Sequence, residues 1–201
     1  MEHVHLIVGL GNPGAEYAKT RHNAGFALVE KLAQRWRADW ANERKFQSRM
    51  ARAECQGVRV LLCQPQTFRN LSGEAVSAVV NFYQLPLAGL LVVVDDADLP
   101  LGEIRLRAGG GTGGHHGLES VGQHLGTKDF ARLRLGIGRA DGLREITGHV
   151  LGRFERGEAA LMKKVLDRAA DQVECWLAAG VEKAMNQFNG VVSPANEETK
   201  Q

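Results

Sequence analysis

The chain has 201 residues, 44% of them apolar and 24% charged, with a net charge of +2. That is ample chain for one buried core and too little charge for bulk electrostatics to announce a nucleic-acid binder. No apolar run approaches the roughly 20 residues that span a bilayer. The opening MEHVHLIVG lacks the basic region, long apolar region and cleavage site of a secretory signal, so a cytoplasmic location is expected.

Residues 4–8 read as a buried strand, short, apolar and stopped by Gly9. Asn23 is placed to cap a helix with Phe26, Val29, Ala33 and Trp36 at helical spacing. Residues 39–45 are polar and read as a connection. Residues 48–54 and 58–63 form a hairpin pattern across Gln56-Gly57, followed by a loop over 65–71. Ser72 can cap a helix carrying Val76, Val79, Val80 and Tyr83, ended before Pro86. Residues 90–94 are a second wholly apolar strand, cut short by Asp95-Asp96, with a turn over 98–102 and a short strand over 104–107. A glycine-rich stretch (109–117) leads to a helix over 118–125 and a strand over 133–138. Leu161, Val165, Ala169, Val173 and Trp176 mark a long helix closed by Gly180, and a last short helix follows. The polar residues 193–201 have the composition of a disordered tail, leaving residues 1–192 as one domain.

Helix and strand patterns alternate throughout without a linker or repeat. The expectation is therefore a single α/β domain with a twisted mixed, largely parallel sheet surrounded by helices. In such sheets ligands sit beyond the carboxyl ends of the strands, where the loops at 9–22, 65–72 and 95–102 would converge.

Gly9-Leu10-Gly11-Asn12-Pro13-Gly14 matches the dinucleotide string G-x-G-x-x-G, but the context is wrong. Pro13 removes a backbone donor and biases Asn12 towards extended backbone. The helix begins about ten residues late for its amides to face a pyrophosphate. Residues 109–114 repeat the match only as a glycine run. G-K-[ST] and G-x-S-x-G are both absent, so neither a P-loop nor a serine-hydrolase elbow is indicated. The three cysteines, Cys55, Cys63 and Cys175, form no C-x-x-C pair and suggest no zinc or disulfide framework. Cys63 reads as a small buried residue.

What remains at the loop edge is Asn12, His22, Asn70 and Asp95. His22 precedes a helix N-terminus, where the dipole favours a neutral, basic imidazole. Asp95 ends a buried strand and could accept that ring's second N–H. The plainer alternatives are a structural histidine, a turn aspartate and loop-capping asparagines. Arginines cluster at 35, 37, 44, 49 and 52 and again at 105, 107, 132, 134 and 139. Such clusters are as readily solvated faces as phosphate contacts.

The blocks GLGNPGAEYAKTRHNAG, QPQTFRNLSGEAV, DDADLPLGEIRLR, GGGTGGHHGLES and FARLRLGIGR stand in the order found in bacterial-type peptidyl-tRNA hydrolases. With residues 147–154 they cover most of residues 5–154, and the chain resembles that family. The resemblance implies hydrolysis of the ester between a peptide and the 3′ ribose of tRNA, on a monomeric α/β domain without metal or cofactor. It implies His22 as the general base, Asp95 as its orienting acid, and Asn12 as a catalytic-site residue that discriminates blocked from free aminoacyl-tRNA. Tyr17, Phe68, Asn70 and His116 fall at substrate-contacting positions, and Arg107 and Arg134 where a tRNA 5′-phosphate is clamped. Three residues depart from the family pattern: His116 for an asparagine, Arg69 for a methionine, and Val94 for a frequent histidine. The alternative reading is a non-catalytic RNA-binding relative, resembling a splicing factor. A dinucleotide-dependent oxidoreductase is more distant.

Overall fold

The computed structural model describes residues 4–138 and 145–192, the side chains of residues 69 and 145–147 excepted. Arg139 and the tail at 193–201 lie outside the described residues. Eight strands form one sheet: β1 (His5–Gly9), β2 (Trp40–Glu43), β3 (Ser48–Cys55), β4 (Val58–Pro65), β5 (Leu90–Asp96), β6 (Glu103–Arg107), β7 (Ala131–Gly136) and β8 (Gly190–Val191). Their order is β2-β3-β4-β1-β5-β7-β6-β8. The central strands β4, β1, β5 and β7 run parallel, and the outer ones are antiparallel to their neighbours. Around the sheet lie α1 (Ala24–Arg35), α2 (Ser72–Tyr83), α3 (His116–Leu125), α4 (Glu145–Leu151) and the helical span α5 (Arg156–Phe188). Gly180 interrupts α5 with φ 83° and ψ 173°, so a long helix and a short one meet there, as the sequence suggests. No helix among the described residues is long and apolar enough to cross a membrane.

Strand alternation splits the core into two layers. Ile7, Leu91, Val93, Leu133 and Leu135 face α1 and α5. Leu6, Val8, Val92, Val94 and Phe130 face α2 and α3. Where α1 crosses the sheet, two glycines allow near-contact of backbones. A Cβ on Gly9 would lie 2.3 Å from the Gly25 carbonyl oxygen, and one on Gly25 2.5 Å from those of Leu10 and Val93. This approach sets the residues just before α1 over the ends of β1 and β5.

Several local expectations shift. The polar connection at 39–45 holds β2 and a 3-10 turn, Arg44–Phe46. Trp40 pairs with Ala51 and lies under the Arg49 guanidinium, 5.1 Å from its carbon. Tertiary pairing here overrides polar composition. β5 continues through both aspartates because β7 pairs with it there, Asp95 with Leu135 and Asp96 with Gly136. Leu71, not Ser72, stands at the α2 N-cap position. Asn23 occupies the α1 N-cap position without capping it through its side chain.

Candidate active site

The loop after β1 makes turns over residues 15–19, a 3-10 turn at Arg21–Asn23, and then α1. No helix starts at its glycines, which removes the geometry a dinucleotide needs. His22 and Asp95 meet above the ends of β1 and β5, with His22 Nδ1 2.8 Å from Asp95 Oδ2. Asp95 is 3% exposed, and it falls on the α1 side because it continues the Leu91, Val93 alternation. Asp96 alternates to the other side. There its Oδ2 lies 3.0 Å from Arg134 Nη1, and its Oδ1 accepts the Asp98 N–H at 2.8 Å.

Asn12 is set by a clamp that sequence reading missed. The Asn23 side chain accepts the Asn12 N–H at 2.8 Å and donates to the Asn12 carbonyl at 2.9 Å. Both groups of one peptide backbone position are thereby fixed, leaving the Asn12 side chain beside the cavity.

A second histidine also faces Asp95. His115 caps α3, its Nδ1 accepting the Leu118 N–H at 3.1 Å. The proton of the neutral ring is therefore on Nε2, which lies 3.5 Å from Asp95 Oδ1. The two rings sit 6.3 Å apart by centroid. The H-H pair in the glycine-rich block was the available signal, but sequence does not tell which histidine turns inward. His116, the next residue, points outward at 81% exposure, Nδ1 3.1 Å from Glu119 Oε2.

These groups line a cavity of about 490 Å³. Asn12, His22, Asp95, His115 and His116 make its polar side, and Ala97, Val150 and Leu151 an apolar wall. Its described lining contains no serine, threonine or cysteine. Cys63 lies elsewhere, fully buried, with burial pushing its thiol up to about 12, so it is no nucleophile.

Arg134, like Asp96, Asp98 and Gly113, lines both this cavity and an adjoining one of about 570 Å³, which Arg105, Arg107 and Arg132 also line. Besides Asp96, Arg134 donates to the Gly111 carbonyl at 2.9 Å. Arg132 is buried and donates to the carbonyls of Gly110, Lys128 and Phe130, bracing the glycine-rich loop. Arg105 pairs with Glu103 at 2.7 Å, while Arg107 is exposed. Within the first cluster, Arg35 pairs with Asp171 and Arg49 with Glu30.

Of the other expected site residues, Phe68 is 61% exposed and Asn70 is exposed on the 3-10 turn before α2. Tyr17 is half-buried in the loop after β1. None of the three lines the cavity.

Comparison with known proteins identifies the family. A family model described as peptidyl-tRNA hydrolase matches residues 6–199. The peptidyl-tRNA hydrolase of Synechococcus sp. (strain JA-3-3Ab) is 52% identical over 184 residues, covering 92% of this chain and 82% of the relative. That of Thermosynechococcus vestitus is 48% identical, covering 94% and 95%. The crystal structure of peptidyl-tRNA hydrolase from Acinetobacter baumannii superposes with a TM-score of 0.90 at 42% identity, over 95% of this chain and 97% of that one.

Proposed function

The chain belongs to the peptidyl-tRNA hydrolase family and hydrolyses peptidyl-tRNA, and we propose that it does so by attack of a water that His22 deprotonates. The observation that carries this reading is the His22–Asp95 hydrogen bond at 2.8 Å on the wall of the cavity. Asp95 accepts from Nδ1, holding the imidazole in the tautomer whose Nε2 takes a proton. His115 Nε2, 3.5 Å from the other Asp95 oxygen, flanks the carboxylate on its second side.

An ester needs a base for water and a donor for the oxyanion that develops. Asn12 supplies the donor: its backbone is pinned by Asn23 and its residue lines the cavity. With no serine, threonine or cysteine in the described lining, water is the nucleophile that His22 is placed to activate. Proton transfer from His22 Nε2 to the departing ribose oxygen completes the cycle. The apolar wall of Ala97, Val150 and Leu151 accommodates the acyl side chain. His116 contacts the substrate at the mouth, where its ring is solvent-exposed.

Tyr17, Phe68 and Asn70 meet the substrate outside the cavity. A bare aromatic ring such as Phe68 offers a stacking face to an unpaired base of the tRNA end. Arg107 contacts a phosphate beside the second cavity, with Arg134 lining both. The protein acts as a cytoplasmic monomer, without a cofactor.

The deciding experiment is release of tRNA from N-blocked aminoacyl-tRNA by wild type and His22→Ala. Loss of a general base lowers the rate about 10²–10⁴-fold. A variant with wild-type rate would remove His22 from the mechanism.

A further inference from the structure

His22 lies in a stretch whose other members are each tied to a different part of the molecule. Thr20 pairs with Arg153 in an isolated antiparallel bridge and donates its hydroxyl to the Tyr17 carbonyl at 2.8 Å. Asn23 holds Asn12. Arg21 donates its N–H to the Gly152 carbonyl at 2.9 Å, one residue beyond α4. Its side chain, 8% exposed, reaches Glu158 at 2.6 Å between Nη2 and Oε2. The guanidinium also lies over Phe154, 4.8 Å from the ring centre.

Glu158 is fixed at its own end as well. It is the third residue of α5 and forms a capping box with Glu155, whose N–H it accepts at 2.8 Å. A carboxylate there is favoured by the helix dipole. Burying a permanently charged guanidinium carries a desolvation cost that one partner offsets only in part. What the arrangement supplies is direction, because a planar donor set against an immobilised carboxylate leaves the turn little freedom.

We propose that Arg21 is a positioning residue for the hydrolysis. With Glu158 it forms a strut from the start of α5 to the turn that carries His22, keeping the ring on Asp95. Through Gly152 the same residue fixes the end of α4, so the base and the Val150–Leu151 wall keep one relative placement. The inference rests on His22 being the base.

Its test compares Arg21→Met, Arg21→Lys and Glu158→Gln with Arg35→Gln, which breaks an ion pair between α1 and α5 away from the turn. In Arg21→Met, kcat falls about tenfold to a hundredfold, with KM on N-blocked aminoacyl-tRNA changed less than about twofold. Arg21→Lys recovers part of the loss, and Glu158→Gln shows a smaller loss of the same kind. The proton NMR signal of the His22–Asp95 hydrogen bond moves or broadens in Arg21→Met and Glu158→Gln, and Arg35→Gln leaves signal and kcat unchanged. Should Arg21→Met not fold, Glu158→Gln decides, since Glu158 is partly exposed. Wild-type kcat and an unmoved signal in the variants that fold would overturn the strut. So would an equal loss in Arg35→Gln, which would mean general docking of α5. A fully active His22→Ala, measured alongside, would instead remove the base reading and the strut with it.

Discussion

Asp95 has one oxygen facing His22 and the other facing His115, and the first of these contacts makes a prediction. Asp95→Asn keeps the shape but no longer selects the His22 tautomer with a basic Nε2. Its kcat should fall about 10²–10⁴-fold, judged against other His–Asp systems, with KM little altered in steady-state assays. His116→Asn is the contrasting case. The ring is exposed and its described hydrogen bond is to Glu119, so thermal unfolding should be unchanged and any effect confined to KM. That bond is the main cause holding the Glu119 carboxyl below its usual range. The inward turn of His115 was not legible in the sequence. Adjacent histidines look alike there, and only the start of α3 aims one at Asp95 and the next at solvent.

At the level of elements, the site depends on how closely α1 approaches the sheet. Gly25→Ala would place a methyl group about where backbone oxygens of Leu10 and Val93 already sit, a Cβ there being 2.5 Å from each. Overpacking of this kind costs about 1–3 kcal/mol, and each kcal/mol is worth about 2–4 °C of Tm in a chain of this size. Calorimetry should show that drop, and kcat should fall with it, because His22 lies three residues upstream. The contact between the His22 turn and α5 also carries a pH signature. Arg21 is the first cause holding the Glu158 carboxyl below its ordinary range. A depressed folded-state value means stability present above the usual carboxylate pKa, about 4.3, and lost as pH falls through the lowered one. Glu158→Gln should therefore be less stable than wild type at neutral pH, by about 1 kcal/mol or less. The gap should close on acidification, followed by denaturant unfolding at several pH values.

Over the whole molecule, several of the arginines clustered in sequence are engaged within the protein rather than turned to a polyanion. Arg35 and Arg49 are in ion pairs, Arg132 braces a loop, and Arg134 is held between Asp96 and Gly111. Arg107, exposed beside the second cavity, is the better phosphate contact. Arg107→Ala should weaken tRNA binding and reduce the slope of log K against log salt by about one phosphate's worth. Arg134→Ala should also lower kcat, since Arg134 lines the cavity that holds His22 as well as the second one. An unchanged slope for Arg107→Ala in binding titrations would make that residue an ordinary surface charge. The sequence by itself determined the alternation of strands and helices, the two-sided core and the polar residues at strand ends, because these follow from periodicity and local turn chemistry. It also placed the start of α1 well past the glycines that follow β1, since Pro13 and the late helical pattern are local facts. Tertiary structure alone decided which polar groups meet. The pairing of His22 with Asp95, 73 residues apart, was one of several possibilities in the sequence until the fold made it, and that of Arg21 with Glu158, 137 apart, left no signal there. Those outcomes depend on strand order and on glycine-mediated close packing, which bring distant residues together at distances no local pattern encodes.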